Sequence, residues 1–473
     1  MIKLRRSLVV PLLTAVAAVG LNATPLAPRL ASADVTPGGF ASPNVTWLGN
    51  IPLDTLGIGG RIVDAGGQPR LYVTSLHGLS IYDISTPELP LLMGHLEMPH
   101  WENEDVAVSA DGSTVLITHD QVVSQSTPGL LVIDASIPQA PLVTSRLDRT
   151  SHTVTCVDDA CDWVYTSAGD IYDLRDKAAP IVAGSWESEA VTQIGRGLRQ
   201  GGHDLNVDAA GLVTTDTLPR LVLDPTDPLH PVVVGHSAIQ KTGDHEDIAG
   251  ETAYQHNNHR PRADQYGSGG SASGLGPGEL LLSNGETNFT GFCNGTTNGP
   301  FATWDMTGFD SGQDIEPIEV FRPVNSNLDA DDQPWLDGNP AFNVLGCSGH
   351  WFDHTDVDGG PTPAPRDGSG DILVAASWYE HGTRFLQVDD ATGDITEVGF
   401  FQPVMGSSFA AYWATDDIAY VVDSVRGVDI LRFDRSAPAP TISAITQSWL
   451  ANLDPAAVAI SDEDRLYCQL SVS

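Results

Sequence analysis

Short apolar runs with strand-like alternation recur along this chain, and each closes on an aspartate followed by small residues and proline. Residues 129–141 (GLLVIDASIPQAP) show the pattern most clearly. Variants stand at 78–90 (GLSIYDISTPELP), 169–180 (GDIYDLRDKAAP), 219–231 (PRLVLDPTDPLHP), 301–317 (FATWDMTGFDSGQDIEP), 383–395 (TRFLQVDDATGDI) and 427–438 (GVDILRFDRSAP). A period-2 pattern bounded by turn residues predicts strands, and seven copies of one unit predict a repeat architecture. Each unit extends backwards: at 106–120, 153–167 and 204–216 a strand, a turn and a second strand precede the run. Another strand follows it, as in LLMGHL at 91–96 and VVVGHS at 232–237. Four strands per unit of about 40–45 residues make the blade of a β-propeller.

The closing aspartates are Asp83, Asp134, Asp173, Asp224, Asp305, Asp389 and Asp434, spaced by 51, 39, 51, 81, 84 and 45 residues. The two long spacings contain loop-like stretches near 241–278, 287–300 and 325–370. The chain therefore reads as all-β, a seven-bladed propeller with large loops in the fifth and sixth blades; six or eight blades are the alternatives. Residues 45–51 (VTWLGNI) resemble the fourth strand of a blade but follow no blade. Such a strand is expected to complete the last blade and close the ring, which removes exposed sheet edges. The propeller is expected over 45–435, after a flexible mature N-terminus at 34–44 and before a C-terminal tail at 436–473. GLLVIDASIP and its variants resemble the LVIVD-repeat family of secreted bacterial and archaeal proteins. That resemblance covers most of 45–434, implies a β-propeller, and brings no catalytic residue with it.

Composition supplies the setting. The formal charge is −38, and the lysines are three: Lys3, Lys177 and Lys241. So acidic a surface argues against nucleic acid and anionic membrane as partners, because both need a basic patch. Lys3, Arg5 and Arg6 precede an apolar stretch at 7–21, which reads as a secretory signal peptide over 1–33. Cleavage is expected before Asp34, with a cut after Ala23 as the alternative; the Arg5-Arg6 pair is a partial twin-arginine match. The mature chain then has no membrane-spanning segment and is extracellular or attached to the cell envelope. Export permits disulfides. Cys156 and Cys161 flank a turn and suit a hairpin bridge, Cys293 and Cys347 sit in the long insertions and form a second candidate pair, and Cys468 is left over.

The candidate chemistry comes from phase. In a four-stranded blade, the connection into the inner strand and the loop between strands two and three share one face. Glu104, His152 and His203 each stand two residues before an inner strand. His256 and His259 are expected just before the fifth inner strand, and His350 and His354 before the sixth. The loops add His77, His119, Asp120, Asp216, Glu286, Glu380, His381 and Arg426. Imidazoles and carboxylates from separate blades can ligate a transition metal without any local motif. The expected metal set is Glu104, His152, His203, His259, His350, His354 and His381. A ring with an open position, and Glu104 or Glu380 as base, would be an enzyme site. A structural role, in which these groups bond neighbouring blades or channel water, explains the same phase. Acidic stretches at 329–332 and 353–358 offer oxygen ligands for calcium but miss the twelve-residue calcium-loop pattern. Trp351, Phe352, Trp378 and Tyr379 flank the mouth, as stacking platforms or as core.

Phosphate-loop and nucleophile-elbow motifs are absent from the sequence. Two classes of function follow. One is a secreted, monomeric binding module whose loop-rich face takes an extracellular or envelope protein, a glycan or a small ligand. The other is a metal-dependent hydrolase or oxidoreductase at the histidine ring. The long insertions and the lack of a catalytic motif favour the first.

Overall fold

The structure is a computed structural model that describes residues 35–36, 39–98, 106–119, 129–198, 201–238, 254–267, 274–286, 299–323, 348–355, 371–379, 381–403 and 406–438. These residues form seven antiparallel sheets, one per repeat, arranged as a seven-bladed β-propeller. Glu104, Asp120, Glu380, Cys293, Cys347, Cys468, the acidic stretch 329–332 and most of the tail lie outside them.

Alternation along the strands explains the packing. In blade two, Val115, Ile117, Leu131 and Ile133 pack with Tyr72, Leu79 and Ile81 of blade one. Their neighbours Leu116, Leu130 and Val132 pack with Val154, Val164 and Tyr172 of blade three. Each blade is thus apolar on both faces, which is why the runs read as nearly continuous hydrophobic segments. Burial of each such side chain contributes about 1.5–3 kcal/mol.

The repeat aspartates share one task. The carboxylates of Asp83, Asp134, Asp173, Asp224, Asp305, Asp389 and Asp434 each accept the backbone N–H two residues on, at 2.7–3.0 Å. In blades one to six this Asx turn ends the third strand and starts the reversal into the fourth; in blade seven, whose fourth strand comes from the N-terminus, it ends the third strand alone. Every fourth strand carries a one-residue bulge, at its third residue in blades one to five and at its fourth in blades six and seven.

Val45–Ile51 pairs with Gly427–Phe433 and completes blade seven, so the ring closes with the strand expected for it. The stretch 34–44 departs from its expected flexibility. Gly39–Ala41 pairs with the outer strand Ile395–Pro403 of blade six, and Val35–Thr36 pairs with Gly39–Ala41, giving that sheet six strands. An outer strand offers an unpaired edge, and the incoming chain covers it.

Cys156 and Cys161 form a disulfide across their hairpin, with Cα atoms 4.7 Å apart. A nine-residue helix, Trp186–Ile194, occupies the connection from blade three to blade four. Ser185 caps it by accepting from the Ser188 N–H, and Gly195 ends it in the left-handed region. Trp186 is buried beneath the helix and donates to the carbonyl of Thr166 at 2.8 Å. None of the described helices is long and apolar enough to cross a membrane.

Candidate functional site

The inner strands of blades two, three and four begin at Val106, Val154 and Leu205. His152 and His203 therefore stand two residues ahead of their strands, in the phase read from the sequence. Side chains of the preceding blade grip the backbone at the histidine positions. Thr118 donates to the carbonyl of His152 at 2.8 Å, Thr153 donates to that of His203, and Asn284 donates to that of His350 at 3.2 Å. Each histidine is thereby delivered to the same mouth of the channel.

Blade five uses a different device. His256 lies inside the inner strand Tyr254–His259, where Gln255 pairs with Gly285 and Asn257 pairs with Asn284. His256 is the extra residue of a bulge, which re-aims its side chain. Its ring stands between those of His203 and His350, with centroids 4.0 and 4.2 Å away, and His152 lies 4.5 Å from His203. Four imidazoles from blades three to six thus form a row. His203, His256 and His350 are buried. His350 Nδ1–H donates to the carbonyl of Phe409 at 2.8 Å, so Nε2 is its acceptor nitrogen.

Glu286 ends the second strand of blade five and closes on this row. The Tyr379 hydroxyl donates to its carboxylate. The ligand atoms of His203, His256 and Glu286 all lie within 4.8 Å of one another. Donors on a zinc-sized ion lie about 2.0–2.1 Å from it, hence about 3.3 Å apart, so the set contracts when it binds.

His259 and His354 correct the expectation of a single ring. Both lie within inner strands, Tyr254–His259 and Phe352–Thr355, rather than before them. Residues three or four positions further along a strand sit about 10–13 Å deeper. They form a lower set with Asp353, whose ligand atoms also lie within 4.8 Å of one another. Burial, then the charges of His354 and Arg61, hold His259 well below the usual imidazole range, so it is neutral at neutral pH. Burial raises Asp353, against the opposing pull of His354, two backbone N–H groups and Arg61.

His381 joins neither set. Arg384 donates to its backbone carbonyl at 2.8 Å, and burial, with the Arg384 charge, pushes the ring down to about 3. Arg384 itself is buried and pairs with Glu397 at 3.2 Å. A second cation there is disfavoured, which removes His381 from the candidate ligands. The other loop groups have structural partners: Asp216, pushed up to about 7 by burial, pairs with Arg220 at 3.1 Å, and Arg426 pairs with Asp429 at 2.9 Å. Trp351, Phe352, Trp378 and Tyr379 are buried and act as core. Trp351 also lines a cavity of about 750 Å³ in the channel below the row.

No family model matches the chain, and no curated protein matches it. Solved structures do. The β-propeller domain of Myceliophteria thermophila Cps50 (Swd1) is 10% identical, with a TM-score of 0.50 over 82% of this chain and 99% of that one. Kuenenia stuttgartiensis hydrazine synthase is 10% identical, with a TM-score of 0.47 over 81% and 97%. YCF48 bound to D1 peptide is 11% identical, with a TM-score of 0.45 over 83% and 97%. At such identities the likeness to the Cps50 domain is one of fold alone.

Proposed function

We propose that this protein is a secreted or envelope-associated, monomeric binding propeller of the LVIVD type that holds a divalent transition metal ion at its channel mouth. His203, His256 and Glu286 are the ligands, with His152 and His350 flanking them. The observation that carries this reading is the convergence of two buried imidazoles and a buried carboxylate, their ligand atoms within 4.8 Å. Imidazoles packed side by side with a carboxylate suit a cation better than they suit one another. Three protein ligands leave a coordination position for a further ligand, which gives a binding module a chemically defined anchor.

Elemental mass spectrometry on protein exported by its native host, purified without chelator or affinity tag, tests the reading. About one copper, zinc, iron or manganese per chain is expected at this site. His203→Ala and His256→Ala should each lose that ion while retaining the β-sheet circular dichroism of the parent. A native protein without stoichiometric metal, and with no uptake on titration, sinks the proposal.

A further inference from the structure

The lower set differs from the upper one in what surrounds it. His259 comes from blade five; Asp353 and His354 come from blade six. Two imidazoles and one carboxylate make a facial ligand set that leaves up to three positions open on a six-coordinate ion. Each donor is aimed by a neighbour. Asp353 Oδ1 accepts the backbone N–H of His354 at 2.8 Å, and Oδ2 accepts that of Trp413, from blade seven, at 2.9 Å. A carboxylate oxygen with one such bond retains a lone pair for a cation. His259 Nε2 lies 3.3 Å from Asn206 Nδ2, a contact that fixes the orientation of the ring. The rings of His259 and His354 stand edge to face, 5.1 Å apart at 70°. That arrangement lets two ring nitrogens converge on one point, which a parallel stack does not.

Asn206, the neighbour of His259, also lines the channel cavity of about 750 Å³, whose wall carries Asp64, Asp158, Asp159, Asp204 and Asp208 against Arg61. Carboxylates in that excess favour a cation in this part of the channel.

We infer that His259, Asp353 and His354 form a second metal site, separate from the one at the mouth.

The test is a Co(II) titration of metal-stripped, full-length protein, followed by visible absorption. Wild type should bind two Co(II) per chain. His256→Ala should bind one, and His354→Ala should bind one, with different spectra. Glu286→Gln and Asp353→Asn replace the alanine variants if circular dichroism shows misfolding. Uptake of one ion by wild type that is abolished in His256→Ala and kept in His354→Ala overturns this inference and leaves the mouth site standing. The reverse pattern keeps this inference and overturns the mouth site. No uptake by any protein overturns both.

Discussion

At the scale of single residues, the chain assigns its many carboxylates to different environments, and pH separates them. Asp423 is fully buried at the end of the second strand of blade seven. Its Oδ1 accepts the N–H groups of Val425 and Arg426 at 2.9 and 3.0 Å, and its Oδ2 has no hydrogen-bond partner among the described residues. Burial, with the nearby Asp429 charge, pushes it up to about 7. An unfolded aspartate titrates near ~3.9, so the folded state holds the extra proton between about pH 4 and 7. The contribution of this group to stability is therefore greatest at acid pH and falls as pH rises through that window. Asp423→Asn removes the titration. Urea unfolding at pH 5 and pH 7.5 should show a smaller loss of stability with rising pH in the variant than in wild type. Equal losses would refute the assignment. The histidines show how far such residues can be read in advance. His152 and His203 were legible because their phase against the inner strands is a matter of counting. Glu286 and Asp353 were legible only as loop or acidic residues. What orients them is the Tyr379 hydroxyl and the Trp413 N–H, each from the next blade, and neither contact leaves a local signal.

At the scale of the element, the outer strand explains a residue that the repeat pattern carries without an evident reason. A glycine follows the bulge of the fourth strand in five blades: Gly94, Gly184, Gly235, Gly399 and Gly49. A Cβ at Gly94 would fall 2.1 Å from the carbonyl oxygen of Pro138, in the Asx-turn region of blade two. One at Gly235 would meet the ring of Phe309, in blade five, at 2.6 Å. The bulge and the glycine together form the seat into which the next blade's turn docks. At the seam a Cβ at Gly49 would meet nothing within 4 Å. Gly94→Ala should therefore cost about 1–3 kcal/mol, because the blocking atom is backbone and cannot swing away. Gly49→Ala, in the same register position, should fall within about 0.5 kcal/mol of wild type. Denaturant midpoints of the two variants decide between steric docking and a general need for glycine in this strand. Bulges also mark where sequence reading stopped. The period-2 pattern located the third strand of every blade, but a bulge adds a residue without breaking the alternation in an obvious way. His256 therefore reads as preceding its strand and stands inside it.

At the scale of the whole molecule, the ring is held by a pairing between residues nearly four hundred positions apart. Val45–Ile51 lies along Gly427–Phe433, and the seam is tied further by side chains. Trp47 Nε1–H and the Asn50 amide both donate to Asp429, at 2.8 and 3.1 Å, and Asn44 donates to the carbonyl of Val398 in blade six at 2.8 Å. A chain truncated through residue 51 would leave Gly427–Phe433 as an open, largely apolar edge, a template for pairing with other chains. The lost ladder bonds and the buried Val45 side chain amount to a cost on the order of 5 kcal/mol. The consequence should reach the channel, because blade seven supplies the Phe409 carbonyl that orients His350 and the Trp413 N–H that orients Asp353. The truncated protein is expected to unfold at lower denaturant, to self-associate, and to bind metal more weakly than the full chain. A peptide covering residues 42–52, added in trans, should reverse all three by strand addition. Recovery of the unfolding midpoint without recovery of metal binding would show that the sites do not depend on the seam. An unchanged midpoint on truncation would show that the remaining blade contacts close the ring alone.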